Sequence, residues 1–520
     1  MDKADVVIIG SGAAGSLLAA KLAQAGKTVI VLEGGPERKA TDLYSSQIWA
    51  RRIKWFGPKS ITGGADPIAV NFGSGWGTGG AALHHYAVWL RRHPDDFDMR
   101  TRFGKGLDWP ISYDDLRPFY DQIQKEVGIS GDAEAEVWRP KGEPYPMPAR
   151  RLFRQATLIA NGFSKLGLRT SPLPMAVNSV EYNGRPACLY DGWCDAGCPI
   201  LALANPLAVY LPQARQAGAE IRHNSYVTRV LANEQGDRVA GVEYYNSEGR
   251  RREQPARVVI VAAYSFQTPR ILLNSATARQ PNGLANSSGA LGKYMMTHSS
   301  SNIFGFFREE TENYRGTVGG QLLSQEDYTK DPDRGYVNSA QWLIGNALKP
   351  NDLLGIADSR PELFGDDLHR FMQRAAKHLA TMTFVGENLP DASNDVVLDK
   401  SKRDRHGFPL ARATHSFNHD DVSCYEAGIK QGSSIFKAAG AYDVWASARV
   451  RMHAMGGVIM GRDRQSSVTN SYGQTHDIAN LFAAGPCLFP TSGAVNPCFT
   501  VNAVTLRAAR YIIENWSKLT

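Results

Sequence analysis

The sequence predicts an α/β fold that contains a Rossmann-like dinucleotide-binding domain. Three observations near the N-terminus support this prediction: an apolar run at residues 5–9, a glycine-rich turn directly after it, and an alanine- and leucine-rich segment at residues 16–25. The apolar run is typical of a buried parallel strand, and the segment after the turn is typical of a helix. A second apolar run at residues 28–32 completes the strand–turn–helix–strand unit, and Glu33 closes it.

The turn reads Gly10-Ser11-Gly12-Ala13-Ala14-Gly15 and fits the pattern G-x-G-x-x-G. In this pattern Gly10 permits the tight turn, Gly12 lets the backbone approach a pyrophosphate, and Gly15 lets the helix pack closely on the strand. The start of the helix faces the phosphate charge, and Glu33 is placed to bind ribose hydroxyls. An acid at this position disfavours NADP, whereas FAD and NAD both remain compatible with the turn.

The composition is that of an ordinary globular protein. Of 520 residues, 43% are hydrophobic and 21% are charged, and six cysteines are too few for a disulfide scaffold. The formal net charge is +7, but the basic residues are scattered, which argues against nucleic acid as a partner. The sequence has no run of about 18 apolar residues and so predicts no transmembrane segment. Because the first residues lead straight into a strand, we expect a cytoplasmic chain, or one carried to the periplasm by a signal-bearing partner subunit.

Downstream segments decide between FAD and NAD through a resemblance to a known family. In chain order they read GSGWGTGGAALHHY (73–86), GLDWPISYDDL (106–116), VVIVAAYSFQTPRILLNS (258–275), RMHAMGG (451–457) and GPCLFPTSGAVNPCFTVNAVTLRAA (485–509). Together they resemble the glucose–methanol–choline (GMC) family of FAD-dependent alcohol oxidoreductases, and within it the catalytic subunits of bacterial sugar dehydrogenases. The resemblance covers most of the chain, leaving residues 300–385 poorly covered.

The resemblance implies how the chain divides into domains. We expect a discontinuous FAD-binding domain at residues 1–298 and 452–520, with core segments 1–35, 220–298 and 452–520. The cysteine loop at residues 180–210 belongs to this part. We expect an α+β substrate-binding domain, built on an antiparallel sheet, at residues 299–451.

The resemblance also implies a catalytic pair. Oxidation of an alcohol by flavin removes the hydroxyl proton and transfers a hydride from the carbinol carbon, and histidine suits the role of base because it titrates near neutral pH. His453, in RMHAMGG, matches the family's catalytic histidine, and Asn496, in GAVNPCF, matches its hydrogen-bonding partner. We interpret His298 and His476 as structural residues.

A further set of residues matches the family's flavin contacts. The set comprises Gly10, Gly12, Ala13, Ala14, Gly15 and Glu33, then Thr78, Gly79, Gly80, His84 and Val227, and finally Gly485, Pro486 and Pro497. In some relatives a histidine near the position of His84 is covalently attached to the flavin, and we favour a non-covalent contact here. Two positions depart from the family pattern: Tyr264 stands where glycine is usual, and Cys498 stands where threonine is usual.

Three of the six cysteines fall within residues 185–199, which read RPACLYDGWCDAGCP. A structural zinc site at Cys188, Cys194 and Cys198 would lack a fourth ligand, and a disulfide would leave one thiol over. Packing is a third reading, although the thiols stand among aspartates and glycines. The Cys-Pro ending is typical of ferredoxin-like ligation. The resemblance favours a [3Fe-4S] cluster held by these three cysteines.

Two hypotheses for function follow. In the first, the chain is a dehydrogenase that oxidises a sugar, glycoside or related alcohol, passes electrons through the iron–sulfur cluster, and works with a small accessory subunit and a cytochrome acceptor. In the second, it is a self-contained oxidase that reduces oxygen and acts on an aromatic or lipophilic alcohol, without a cluster. A catalytically inert flavin-binding scaffold is disfavoured by His453 and Asn496.

Overall fold

The computed structural model describes residues 3–46, 48–50, 57, 59–68 and 75–520. The first two residues of the family-like segment at 73–86 therefore lie outside the described part. The elements of the described part form two large β-sheets and one small sheet, with helices packed between and around them. Within these ranges no helix is both long enough and apolar enough to cross a membrane.

The strands and helices have the following bounds. The strands are β1 (Ala4–Ile9), β2 (Val29–Leu32), β3 (Ile61–Gly63), β4 (Ser171–Pro172), β5 (Glu220–Arg222), β6 (Tyr226–Ala232), β7 (Val239–Tyr245), β8 (Arg251–Val261), β9 (Met296–Phe306), β10 (Leu322–Ser324), β11 (Ala340–Ile344), β12 (Leu379–Gly386), β13 (Asp395–Arg403), β14 (Pro409–Thr414), β15 (Asp443–Ala446), β16 (Val450–Met455) and β17 (Leu481–Ala483). The helices are α1 (Ala13–Gln24), α2 (Met99–Phe103), α3 (Tyr113–Val127), α4 (Arg154–Lys165), α5 (Tyr210–Gln216), α6 (Tyr264–Asn274), α7 (Pro350–Ala357), α8 (Asp366–His378), α9 (His419–Ala439), α10 (Cys498–Glu514) and α11 (Trp516–Leu519).

The first sheet has the order β5-β2-β1-β8-β7-β6, and β17 also pairs with β8. Strand β8 joins two arrangements. Its second half lies parallel between β1 and β17, while its first half is antiparallel to β7. The parallel strands β1, β2 and β17 are almost wholly buried, as expected where helices cover both faces of a sheet, whereas the edge strand β5 is more exposed. This is the predicted Rossmann-like part of an α/β fold, assembled from three separate stretches of sequence.

The turn between β1 and α1 shows why two of its glycines are needed. The backbone of Gly10 has φ +99°, in the left-handed region, and a Cβ there would lie 2.7 Å from the carbonyl oxygen of Ala262. A Cβ on Gly15 would lie only 2.0 Å from the carbonyl oxygen of Gly10. The helix therefore lies directly against the strand end, as the motif predicts. Gly12 is less constrained, because the nearest atom to a Cβ there would be 4.0 Å away.

The second sheet is antiparallel and has the order β15-β9-β12-β11-β10-β4, with β16 also paired to β9. Helices α4 and α9 cover one face, where Ile303, Trp342 and Phe384 are buried in an apolar core. The opposite face carries His298, which pairs with Met452 of β16. An antiparallel sheet of this kind confirms the predicted fold class. A third sheet of β13, β14 and β3 completes the fold.

The membership of the sheets bears on the predicted domain limits. The antiparallel sheet lies mostly within residues 299–451, but β9 begins at Met296, β16 ends at Met455, and β4 comes from residues 171–172. Strand pairing therefore crosses the predicted limits at both ends. The reason is that β9 needs partners along both halves of its edge, and β16 supplies the second of them.

We predict that Gly15→Ala destabilises the protein by roughly 1–3 kcal/mol, because its Cβ would force α1 away from the carbonyl of Gly10. The midpoint of thermal unfolding measures this change. Gly355→Ala is the matched control, since a Cβ there meets no atom within 4 Å and lies within α7, where alanine is favoured over glycine. Equal unfolding midpoints for the two variants would contradict the packing argument.

Candidate active site

A cavity lies at the carboxyl ends of β1, β2 and β8, where ligands bind in open α/β sheets. Four of the predicted flavin contacts line it: Gly10, Glu33, Gly80 and Val227. The structure thus brings together residues that are separated by more than 200 positions in the sequence. The lining also includes residues that the motifs did not single out, among them Trp76, Tyr226 and Ala263.

Glu33 is the centre of a buried hydrogen-bond network. Its Oε2 accepts from the backbone N–H of Ser11 at 3.0 Å and from the hydroxyl of Ser11 at 2.7 Å. Its Oε1 accepts from the N–H groups of Gly35 at 2.9 Å and Gly77 at 3.2 Å. A carboxylate offers about four acceptor sites, so these donors account for them. Glu33 therefore holds the glycine-rich turn to the loop at residue 77, and its predicted contact with the ribose stays a prediction.

The predicted second cradle at Thr78, Gly79 and Gly80 packs against this turn. The N–H of Gly79 donates to the hydroxyl of Ser11 at 3.2 Å, and a Cβ on Gly80 would lie 3.2 Å from the Cα of Gly12. The hydroxyl of Thr78 accepts from the N–H of Arg38 at 3.1 Å. The loop is thus fixed at the start of α1, as a second backbone contact to the cofactor requires.

A smaller cavity lies where the N-termini of α1 and α10 approach each other. Ala13, His85, Trp89 and Cys498 are among the residues that line it. Burial lowers the pKa of His85 to about 4, so its ring is neutral at physiological pH. His85 lines this cavity. The flavin contact predicted from the sequence is its neighbour His84, and that contact stays a prediction.

The predicted C-terminal flavin contacts lie close to the segment that carries His453. Gly485 has φ +107° and leads into a short turn whose Pro486 carbonyl accepts from the N–H of Gly456 at 3.0 Å. Pro497 directly precedes α10. The chain on either side of Gly456 is therefore pinned to the segment that follows β17.

The backbone of Tyr264 is in a conformation that is unusual for a bulky residue. It has φ +67°, a conformation that glycine adopts readily and bulky residues rarely do. Its side chain also lines the cavity at the carboxyl ends of β1, β2 and β8, beside Ala263, and burial raises the pKa of its phenol. A side chain has thus been placed in a backbone position suited to glycine, at the edge of the predicted flavin site.

The placement of His453, the predicted base, depends on an irregularity between β16 and β9. Met452 pairs with His298 and Met455 pairs with Met296, so β16 has one residue more than β9 between these pairs. His453 lies in this bulge with φ +62°. Bulges of this kind redirect side chains and are frequent beside active sites. The ring of His453 turns towards Asn496, whose Nδ2 lies 3.4 Å from its Nε2.

The environment of His453 keeps its ring uncharged. The side chain lies deep in the protein with an accessible edge, and burial lowers its pKa to about 4. Nδ1 of His298 lies 2.9 Å from Nδ1 of His453. The sequence predicts a structural role for His298, and the strand pairing also places it in contact with His453, the predicted base.

The three clustered cysteines lie close together in the loop. Burial raises the pKa of Cys188 to about 11, and the nearby thiol of Cys198 adds to this effect. Backbone N–H groups point at the sulfurs: Tyr190 donates to Cys188 at 3.3 Å, and Leu203 donates to Cys198 at 3.4 Å. Cys194 is buried in a short turn between them.

Two buried cations accompany this loop. Lys349 donates to the carbonyl of Gly192 at 3.0 Å. Burial lowers the pKa of the Arg150 guanidinium, and the nearby Cys188 partly opposes this lowering. Even so, within the described ranges no three or more histidine, cysteine, aspartate or glutamate side chains are arranged as a metal site. The loop thus brings three buried or partly buried thiols near two buried cations, without an assembled ligand set among the described residues.

Comparison with known proteins decides the family. Sequence profiles of GMC oxidoreductases match residues 4–300 and 390–505. The chain belongs to the GMC oxidoreductase family. It is 30% identical to the fructose dehydrogenase large subunit of Gluconobacter japonicus over 98% of both chains. It is 31% identical to 2-methyl-1,2-propanediol dehydrogenase of Mycolicibacterium austroafricanum, covering 100% of this chain and 96% of that protein.

A third relative and two solved structures extend the comparison. Gluconate 2-dehydrogenase flavoprotein of Pantoea cypripedii is 27% identical, with 100% of this chain and 95% of that protein covered. Pyridoxine 4-oxidase superimposes with a TM-score of 0.68 at 16% identity, covering 98% and 99% of the two chains. Formate oxidase of Aspergillus oryzae gives 0.70 at 15% identity, covering 100% and 99%. These last two likenesses concern the fold.

The GMC oxidoreductase is therefore an FAD-dependent alcohol oxidoreductase, and the cavity fits this cofactor. Gly12 caps α1 without a side chain, which leaves the helix start accessible to phosphate oxygens. Gly10 gives the neighbouring turn a shape that any side chain would obstruct. Val227 lies at the far wall, on β6. The uncapped helix start and the side-chain-free turn thus fit the phosphates of a bound dinucleotide.

We predict that Glu33→Gln in this GMC oxidoreductase weakens FAD binding about 10- to 100-fold. The amide keeps one acceptor oxygen where the carboxylate has two, and each lost hydrogen bond to a charged group is worth about 1.5–3 kcal/mol. Titration of the apoprotein with FAD, followed by flavin fluorescence, measures the affinity. Glu37→Gln is the control, because Glu37 forms an exposed ion pair with Arg215 at 3.3 Å, which contributes little. Unchanged affinity for Glu33→Gln would show that the network does not shape the site.

Proposed function

We propose that this chain is a dehydrogenase that oxidises a sugar, glycoside or related polyhydroxylated alcohol to a carbonyl, with His453 as base. The observation that carries this proposal is the convergence of His453 Nε2 and Asn496 Nδ2, 3.4 Å apart, beneath the antiparallel sheet. Two groups at this spacing can contact one hydroxyl together: one accepts its proton and the other donates to its oxygen.

The chemistry of the proposed pair follows from protonation. Because the pKa of His453 is lowered to about 4, its ring is neutral at physiological pH and can accept a proton at Nε2. The amide of Asn496 donates to the substrate oxygen and stabilises the negative charge that develops as the proton leaves. Bound FAD supplies a hydride acceptor for the carbinol carbon. The protein's own contribution is to hold the carbinol in one orientation and to remove the proton.

Polar residues on the sheet face that carries His298 support a hydroxyl-rich substrate. On this face the hydroxyl of Thr383 donates to Oδ1 of Asn302 at 2.7 Å and lies 3.3 Å from Oδ1 of Asn346. Asn302 stands four residues beyond His298 on β9, which is about 13 Å along an extended strand. A chain of several hydroxyl-bearing carbons spans such a distance.

The names of the relatives agree with this substrate class. Fructose, gluconate and 2-methyl-1,2-propanediol, which those names include, each carry more than one hydroxyl group. The fructose enzyme is named as a large subunit, which is consistent with an accessory subunit in that assembly. We propose the same organisation here, with a small accessory subunit and a cytochrome as electron acceptor.

We further propose that Cys188, Cys194 and Cys198 hold a [3Fe-4S] cluster, which would supply one-electron transfer. Support comes from the donor chemistry: three thiols in one loop, backbone N–H groups directed at two of the sulfurs, and buried cations nearby. Cluster ligation would displace the thiol protons that burial retains. The competing function is an oxidase without a cluster, which would leave these cysteines as packing residues.

We predict that His453→Gln slows reduction of the bound FAD by substrate about 100- to 10,000-fold, because the variant lacks the base. Anaerobic mixing with fructose, gluconate, glycosides and small diols, followed by flavin absorbance, measures the rate. FAD content should stay unchanged. His476→Gln is the control, since that ring contacts the hydroxyl of Ser467 at 2.9 Å, away from the pair. Full-rate reduction by His453→Gln would remove His453 from the role of base.

We predict that the protein, reconstituted with iron and sulfide, holds about three iron atoms per FAD and that Cys188→Ser loses most of them. Cys424→Ser is the matched control, because Cys424 is buried in α9 and lies within 3.9 Å of the carbonyl of Ser339. Iron and sulfide analysis together with the visible spectrum give the result. Flavin bands without iron in the parent protein would favour the oxidase.

A further inference from the structure

Five hydrogen bonds link six buried or partly buried side chains through the catalytic pair. Nε2 of His93 lies 3.2 Å from Oε1 of Gln325, and Nε2 of Gln325 donates to Oε1 of Gln341 at 3.0 Å. Nε2 of Gln341 donates to Oδ1 of Asn496 at 3.2 Å. Nδ2 of Asn496 then faces Nε2 of His453 at 3.4 Å, and Nδ1 of His453 faces Nδ1 of His298 at 2.9 Å.

The amides give this chain a direction. Each of Gln325, Gln341 and Asn496 receives a hydrogen bond at its oxygen and donates from its nitrogen to the next residue. The Nδ2 group of Asn496 has only protons to offer, so Nε2 of His453 must present its lone pair. A neutral imidazole carries one proton, and that proton then lies on Nδ1 of His453.

The last contact follows from the same proton count. Two ring nitrogens 2.9 Å apart share one proton, because two N–H groups or two lone pairs facing each other would repel. With the proton on His453, Nδ1 of His298 is the acceptor and the proton of His298 lies on its Nε2. That nitrogen is buried without a well-formed hydrogen bond among the described residues, while the backbone of Ser492 and Gly493 stabilises a protonated ring nitrogen there.

We propose that His298 is a positioning residue that fixes His453 in the tautomer with its proton on Nδ1, so that Nε2 carries the lone pair that acts as base. The inference rests on the proposed role of His453 and adds a second histidine to it. His298 does not contact the substrate hydroxyl in this arrangement. It acts through His453 by accepting one hydrogen bond and by fixing the plane of the ring.

The surroundings of His298 suit an uncharged acceptor. The side chain is fully buried in β9, and burial lowers its pKa well below the usual value, with further lowering from His453 and from the charge of Arg92. The guanidinium of Arg92 is held by the carbonyl of Ser492 at 2.6 Å. A neutral His298 can accept from His453, whereas a protonated one would present N–H at both nitrogens and break the contact.

Two replacements of nearly equal size test this role in the FAD-loaded protein. His298→Asn places an amide oxygen near the former Nδ1 and can still accept from His453, whereas His298→Leu offers no acceptor. We expect His298→Leu to slow FAD reduction by substrate about 10- to 100-fold, and His298→Asn to recover most of that loss. The rates come from the same anaerobic mixing, with FAD content and the unfolding midpoint measured for each variant.

A spectroscopic measurement reports the tautomer directly. Nuclear magnetic resonance of the protein with isotope-labelled histidine, assigned by comparison with His453→Gln, should show the proton of His453 on Nδ1. His298→Leu should lower the fraction of His453 that carries its proton on Nδ1, and His298→Asn should restore that fraction. A proton on Nε2 of His453 in the parent protein, or equal rates for the Leu and Asn variants, would overturn the proposal.

The outcomes separate this inference from the proposed function. If His453→Gln reduces FAD at full rate, the base is misassigned regardless of His298. If His453→Gln is inactive while His298→Leu keeps the parent rate, the base stands and only the positioning role fails. His476→Leu serves as the control for loss of an imidazole elsewhere, and it should leave both the rate and the His453 signal unchanged.

Discussion

The pairing of β16 with β9 is the contact on which the active site depends. Strand β9 belongs to the antiparallel sheet, whereas the chain after β16 turns at Gly456 and Gly457 into the segment fixed beside Pro486. One extra residue in β16 places His453 in a left-handed conformation and turns its ring between His298 and Asn496. Without that irregularity the strand would alternate regularly, and the side chain would lie on a different face.

A buried ionic cluster lies on the side of the site that carries Asn496. Lys330, fully buried, contacts Asp96 at 3.0 Å and Glu387 at 2.7 Å. Asp96 accepts from the hydroxyl of Tyr328 at 2.7 Å, and that hydroxyl accepts from the N–H of Ala494 at 3.3 Å. Buried ion pairs add little net stability, but removing one partner is costly, so such a cluster tolerates few arrangements. The backbone just before Asn496 is therefore fixed by charge as well as by packing.

The cysteine loop is connected to the flavin-binding part by a short route. Asn205 lines the small cavity beside Ala13 and Cys498, and its side-chain amide donates to the carbonyl of Gly197 at 2.9 Å. Gly197 directly precedes Cys198. The loop thus packs against the start of α1 and α10 and not at a distant surface. A redox centre held there would lie next to the cofactor domain, which is the arrangement that a relay of electrons requires.

Local patterns predicted the fold class and the glycine-rich turn. Gly15 is required by the carbonyl oxygen of Gly10 within the same strand–turn–helix unit, whereas at Gly10 the atom that excludes a side chain belongs to Ala262, which follows the neighbouring strand β8. His453 and Asn496 were identified through family motifs, and their contact confirms only that the fold brings them together. The contact of His298 with His453 was not predictable, because it arises from a strand pairing across 155 positions and from a one-residue bulge. Register between distant strands is set by the whole sheet, so the sequence around His298 contains no local sign of its partner.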